Sequence, residues 1–260
     1  MPFLDVGPLR IFQFESLQSN GVEHGILTRR GGVSPAPWAS LNLGAGVGDE
    51  SERVQINRRR AVEALGLRPE SIYDVWQIHS ATVVVADGPR AEAAPIQADA
   101  ILTNRPAVTL LMRFADCVPI LLVDPRREAI GLVHAGWLGT VRQVLRSAVR
   151  RMAESFGSRP EDLRAGLGPS IAGHHYPVGP EVVAAFRQAF GESAEAHLSK
   201  DGDRIHLDLW SANVQLLREE GLTQVEVCGL CSVCLPQDWF SHRGEHGTTG
   251  RFGAALALSA

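Results

Sequence analysis

The apolar positions of this chain fall into two periods. Three short runs fill its middle, at 107–113, 118–123 and 129–134. The first stops at Arg113 and the second at Asp124-Pro125. Short aliphatic runs bounded by turn or charged residues predict buried strands. The connections Phe114 to Cys117 and Pro125 to Glu128 are too short for parallel crossovers, so they favour antiparallel hairpins. A further β-branched stretch, 75–86, reads as one or two strands, and 225–229 as another, followed by a loop-rich tail. The helical period appears over 138–156, where Val141, Val144, Leu145, Ala148, Val149 and Met152 form one apolar stripe. Helices are also predicted at 51–65, capped by Asp49 or Ser51 and stopped by Gly66, and at 180–190 and 207–219. The segment 30–48 is too rich in Gly, Pro, Ser and Asn for helix or inner strand. Together these elements predict an α/β (α+β) fold over 1–260. It would be a single domain with mixed, largely antiparallel sheets flanked by helices, without regular βαβα alternation.

Composition narrows the function classes. Hydrophobic residues make up 45% and charged residues 21% of 260, ordinary for a globular protein with a real core. The formal net charge of -4 lacks the basic excess of a duplex-binding domain, so no nucleic-acid partner is expected. No apolar run approaches the roughly 20 residues of a membrane span. The start MPFLDVGPLR lacks the basic and apolar regions of a secretory signal. Four cysteines, Cys117, Cys228, Cys231 and Cys234, are a poor disulfide framework at this length. A cytoplasmic location is expected.

Candidate chemistry sits at strand ends. The segments around His79, Cys117 and His134 place metal-capable side chains beside apolar runs, and the last two lie on adjacent predicted strands. Two imidazoles and a thiolate are sound zinc ligands and leave a fourth position open. An open position can hold water and lower its pKa towards about 7. Asp116 would fix a histidine tautomer. Glycines 136 and 139 would let backbone approach a ligand closely. The same residues also fit a metal-free site, with Cys117 as a nucleophile activated by His134 or His79. The run Cys228-x2-Cys231-x2-Cys234 lacks the fourth cysteine of an iron–sulfur motif and a second C-x2-C for structural zinc. Cys231 and Cys234 therefore read as buried or loop thiols. Gly44, Gly46 and Gly48 do not make a dinucleotide loop, since no clear strand precedes them. His174-His175 reads as a loop entering a site or as a surface turn.

Eleven stretches in order resemble one family: Thr28–Ser34, Ser40–Gly44, Asn57-Arg58, Gln77–Ser80, Ala115–Ile120, Val133–Trp137, Gly168–Ile171, Tyr176–Val178, Cys231–Cys234, Ser241–Arg243 and Thr249–Arg251. The chain resembles the multicopper polyphenol oxidase (laccase)-like family, DUF152 or Cu-oxidase-4. Its members have been labelled laccase, peptidoglycan editing factor and purine nucleoside phosphorylase. The resemblance implies that His79, Cys117 and His134 are a metal-binding active-site trio, with zinc the expected metal and copper the alternative. It implies phosphorolysis of adenosine, inosine, guanosine and methylthioadenosine, with adenosine deaminase activity alongside. The sequence departs from the family at Leu138, where Arg is frequent, and at His174-His175, where a cysteine pair is frequent.

Under that resemblance, a purine nucleoside and phosphate are the expected partners. Arg58, Arg243 and Arg251 are the expected phosphate donors, since guanidinium forks suit phosphate. Surface salt bridges are the competing role for them. Asn42 and Gln77, inside matching stretches, are expected to touch substrate. Asp116 or a neighbouring histidine would serve as general acid or base. A copper polyphenol oxidase is a second function, weakened because nine histidines occur without H-x-H pairs. A hydrolase editing a cell-wall precursor is a third.

Overall fold

The computed structural model describes residues 2–18, 20–90 and 94–259. In chain order the first half runs β1 (Phe3–Val6), β2 (Leu9–Phe12), β3 (Val22–Leu27), α1 (Ser51–Glu63), β4 (Ile72–Tyr73), β5 (Val83–Val85), β6 (Ala100–Thr103), β7 (Thr109–Phe114), β8 (Val118–Asp124) and β9 (Ala129–Ala135). The second half runs α2 (Trp137–Val141), α3 (Val144–Phe156), β10 (Arg164–Leu167), β11 (Pro177–Val178), α4 (Pro180–Phe190), β12 (Leu198–Asp201), β13 (Arg204–Leu207), α5 (Leu209–Glu219), β14 (Gln224–Val227) and β15 (Phe252–Leu258).

Two six-stranded sheets carry the structure, in the orders β1-β2-β3-β15-β7-β4 and β14-β10-β8-β9-β6-β5, and β11-β13-β12 form a small third. Among the strands of the described residues, β4–β7, β5–β6 and β10–β14 pair in parallel and the rest antiparallel, so the sheets are mixed and largely antiparallel as expected.

The large sheets pack face to face. Leu110, Met112, Ala254 and Leu256 of the first share one core with Leu121, Val123, Ile130 and Leu132 of the second. The alternate residues of the same strands point the other way. Ile120, Leu122 and Val133 pack with Leu145, Ala148, Met152 and Leu216 of α3 and α5. Leu111 and Ala255 pack with Ala61 of α1. The layers are therefore helix, sheet, sheet, helix. Strands covered on both faces read as unbroken apolar runs, which is why β8 and β9 stand out in the sequence.

Several expectations change. The 114–117 connection is not a hairpin, because β7 pairs with β15 and β4 while β8 pairs with β9 and β10. The chain crosses there from one sheet to the other. The connection 125–128 does close an antiparallel pair, β8–β9. The helix predicted at 138–156 is two helices, broken at Gln143 with φ 61°. The loop-rich tail ends in β15, a central strand between β3 and β7. Its small residues Gly253, Ala254, Ala255 and Ala257 diluted the strand signal. Within 75–86 only Val83–Val85 is a strand, and Trp76 makes an isolated bridge to Gln97. Neither expected cap acts on α1. Its N-cap is Glu50, and Asp49 Oδ1 accepts the Glu50 N–H.

Candidate active site

The β8–β9 register places Pro119 opposite His134 and Val118 opposite Ala135. Cys117, the residue before β8, thus meets the end of β9 at the point where the chain crosses between the sheets. His79 reaches them from an irregular segment that a buried carboxylate organises. Asp99, 0% exposed, accepts hydrogen bonds from the backbone N–H groups of Ile78 (3.2 Å), His79 (3.0 Å) and Ser80 (2.6 Å) and from Ser80 Oγ (2.8 Å). One side chain replaces a strand partner, and this is why 77–80 left the β pattern. His79 and Asp116 hold φ values of 58° and 81°, in the left-handed region. Such conformations in non-glycine residues cluster at functional sites.

Among the described residues, the ligand-capable atoms of His79, Cys117 and His134 lie within 4.8 Å of one another. Cys117 Sγ is 3.7 Å from His79 Nε2, and the two imidazole rings are 4.9 Å apart at an edge-on angle of 65°. His134 Nδ1 lies 2.9 Å from Asp99 Oδ1, which leaves Nε2 for the centre of the trio. Carboxylate–imidazole pairs of this kind orient metal-binding histidines. Gly136 completes the fit. A Cβ there would lie 2.6 Å from Cys117 Sγ and 3.1 Å from His79 Cδ2. The donor set, the spacing and the carboxylate-held imidazole all suit a metal ion with one open position.

The electrostatics agree. Burial opposes charge on Cys117, but His134 and then His79 stabilise the thiolate and bring its pKa down to about 6. Burial likewise opposes charge on His134, yet Cys117 and Asp99 raise it to about 9. Without metal the two form an ion pair, which also suits a cysteine nucleophile.

The other expected site residues divide. Asp116 is next to Cys117, and among the described residues it makes no hydrogen bond to an imidazole. It accepts from Ser232 Oγ (2.7 Å), Ser241 Oγ (2.6 Å) and the Arg243 N–H (2.7 Å). The histidine-orienting carboxylate is Asp99, not Asp116, because β9 runs beside β6 and Asp99 immediately precedes β6. Asn42 is 0% exposed, and its amide is taken up by partners in and beyond the 30–48 loop. Its Oδ1 accepts from the Gly44 and Arg251 N–H groups, and its Nδ2 donates to Gly44 O and Asp49. Gln77 pairs through both ends of its amide with the Arg113 backbone, tying the His79 segment to β7. Arg58 donates to Leu43 O and pairs with Asp74, which Arg90 and Arg113 share. Burial and the neighbouring Arg113 lower the Arg58 pKa to about 10.

Arg243 joins Asp116 through its backbone N–H, and Arg251 Nη1 donates to Thr249 O and Gly250 O. The Arg243 guanidinium sits over the Tyr176 ring at 5.1 Å and donates to Pro177 O. Burial lowers the Arg251 pKa, while the Cys117 and Asp116 charges act on it in the opposite sense. Tyr176 is pushed up by burial and by the Cys117 charge. Sequence reasoning quoted Tyr176 in a motif without giving it a place in the site, and it missed Asp99. A lone Asp before an apolar strand carries no distinguishing signal. Arg142, which donates to His79 O at 2.8 Å, was missed for the same reason.

A family model described as multi-copper polyphenol oxidoreductase laccase matches residues 23–259. The chain belongs to this family. One relative of this laccase-family chain, a purine nucleoside phosphorylase of Deinococcus radiodurans, is 40% identical over 238 residues, covering 91% of this chain and 89% of its own. The Bacillus subtilis purine nucleoside phosphorylase YlmD is 37% identical over 244 residues, covering 90% and 87%. The fold is shared with solved members. YlmD from Geobacillus stearothermophilus superposes with a TM-score of 0.91 at 30% identity, covering 100% of this chain and 99% of that one. The hypothetical protein YfiH of Bacillus licheniformis gives 0.91 at 32%, covering 99% of both.

Proposed function

We propose that this chain is a purine nucleoside phosphorylase whose trio His79, Cys117 and His134 holds zinc. The observation that carries the proposal is the convergence of these side chains from three segments. The names of the curated relatives support the same activity. Adenosine, inosine, guanosine and methylthioadenosine are the proposed substrates, with adenosine deamination as a second activity. The proposed location is the cytoplasm. Among the described residues no helix is long and apolar enough to cross a membrane, and none of the four cysteines is in a disulfide.

In phosphorolysis a phosphate oxygen bonds to ribose C1′ as the bond from C1′ to the purine nitrogen breaks. The base leaves with a proton, and ribose 1-phosphate forms. Arg251 and Arg243 suit the phosphate, because a fixed guanidinium fork matches its oxygens. Asp116 fixes the backbone at Arg243 and so aims that side chain. Arg58 shares Asp74 with Arg90 and Arg113 and donates to Leu43 O, which ties it into the protein's own structure. The Tyr176 ring, covered by Arg243, offers a partly apolar surface of the kind a purine stacks on. Asp99 keeps His134 in one tautomer throughout. When bound, zinc supplies a Lewis acid with an open coordination position.

Incubation of purified protein with inosine, with and without phosphate, tests the proposal. Hypoxanthine and ribose 1-phosphate should form only with phosphate, and their absence would sink it. Adenosine without phosphate should yield inosine. The copper polyphenol oxidase alternative has the family description in its favour. Against it, the trio's one sulfur and two imidazoles suit a single ion and not a cluster of several coppers.

A further inference from the structure

A second group of metal-capable side chains lies apart from the trio. Among the described residues, His174, His175, Cys231 and Cys234 bring one ligand atom each within 4.8 Å of one another. Cys234 Sγ is 3.2 Å from His174 Nε2 and 3.4 Å from His175 Nδ1, and Cys231 Sγ is 3.6 Å from the same His175 Nδ1. A tetrahedral zinc with Zn–S of about 2.3 Å and Zn–N of about 2.0–2.1 Å spaces its nitrogen and sulfur ligands about 3.6 Å apart. The three contacts fall near that edge length. Hydrogen bonding accounts for them less well. His175 Nδ1 offers one lone pair or one proton, yet it faces two sulfurs. The Ala172 N–H donates to Cys231 Sγ at 3.4 Å.

The surroundings are arranged around the group. His174 and His175 end a short turn, Gly173–His175, buttressed by His206 Nδ1 at 2.7 Å from Gly173 O. Cys231 bridges to Ser170, and the Ser232 N–H donates to Ser170 O. The C-x2-C pair thus meets its complementary ligands on a loop 56 residues away, where sequence spacing could not show them.

We infer that His174, His175, Cys231 and Cys234 form a second, structural zinc site, closed by four protein ligands. The ion would clamp the 173–175 turn to the 231–234 loop. Both segments then lead into the trio's surroundings. Tyr176 follows His175, and Ser232 donates to Asp116 beside Cys117. The inference stands on these contacts and not on the proposed activity.

Elemental analysis of full-length protein expressed with zinc tests it. Wild type should carry two zinc ions per chain, Cys117→Ala one, and the His174→Ala/Cys234→Ser double variant one. One ion in wild type and none in Cys117→Ala would overturn it, as would an unchanged count in the double variant. If the double variant fails to fold, Cys117→Ala loaded with Co2+ decides. Expected are thiolate-to-cobalt charge-transfer bands and the strong visible bands of tetrahedral cobalt, both lost on chelation. Their absence overturns the site, as does a Cys231–Cys234 disulfide in freshly purified, metal-replete protein. Because Cys117→Ala removes a ligand of the trio, a retained ion belongs to the second site whether or not the enzyme is active.

Discussion

Asp99 Oδ1 lies 2.9 Å from His134 Nδ1, and the same carboxylate gathers the backbone N–H groups of Ile78, His79 and Ser80. One buried side chain therefore sets both imidazoles, His134 through its tautomer and His79 through its backbone. Asp99→Ala should weaken zinc binding by about 10–100-fold. It should also destabilise the fold by on the order of 3 kcal/mol, since several buried donors lose their acceptor. Zinc titration calorimetry and urea unfolding measure the two effects. Wild-type zinc affinity in this variant would remove Asp99 from the site.

The same carboxylate predicts a pH dependence. Burial opposes its charge, but the His134 and Ser80 hydrogen bonds prevail and hold its pKa at about 2, below the ordinary 3.8. A depressed carboxyl pKa stabilises the fold above the unfolded value and loses that contribution as pH falls through the folded one. The contribution is roughly 2 kcal/mol. The stability gap between wild type and Asp99→Asn should narrow by about that amount between pH 5 and pH 2. A constant gap in denaturant melts would contradict it.

Cys117 should behave as a thiolate in metal-stripped protein. With its pKa brought down to about 6, alkylation by iodoacetamide should reach half its maximal rate near pH 6. Added zinc should slow the reaction, because a metal-bound thiolate is a poorer nucleophile. His134→Gln should move the midpoint upward. Reaction confined to pH above 8 would show that the imidazoles do not reach the sulfur.

Gly136→Ala tests the packing of the trio. The new methyl group would collide with Cys117 Sγ at 2.6 Å and press on His79. Overpacking should cost about 1–3 kcal/mol of stability. Displacing the ligands should lower phosphorolysis at least ~100-fold, since small misplacements at a reacting centre are costly. Near-normal turnover would mean that the trio is not the reaction centre.

Arginines that look alike in sequence should separate in kinetics. Arg251→Ala should raise the KM for phosphate on the order of tenfold, by loss of a charge-assisted contact. Arg58→Ala should leave that KM within about twofold. It should instead lower stability by ~2 kcal/mol, because Asp74 loses one of its partners and the Leu43 carbonyl its donor. The reverse pattern would place phosphate at Arg58.

Much of this protein was determined by local sequence. The β8 and β9 runs and the α3 stripe declare themselves because burial on both faces, or on one helical face, needs a fixed apolar period. Adjacent strands then brought Cys117 and His134 together. Tertiary structure decided the rest. The crossing of 114–117 between sheets, the place of β15 and the choice of Asp99 over Asp116 depend on which strands pair, and a short apolar run does not encode its partner. The resemblance led to Asn42 and Gln77 as expected substrate contacts, and only the folded chain shows the backbone groups that each one holds. His174, His175, Cys231 and Cys234 are close only through folding. Residues 56 positions apart share no local period, so only the closed chain brings them within reach of a common ion.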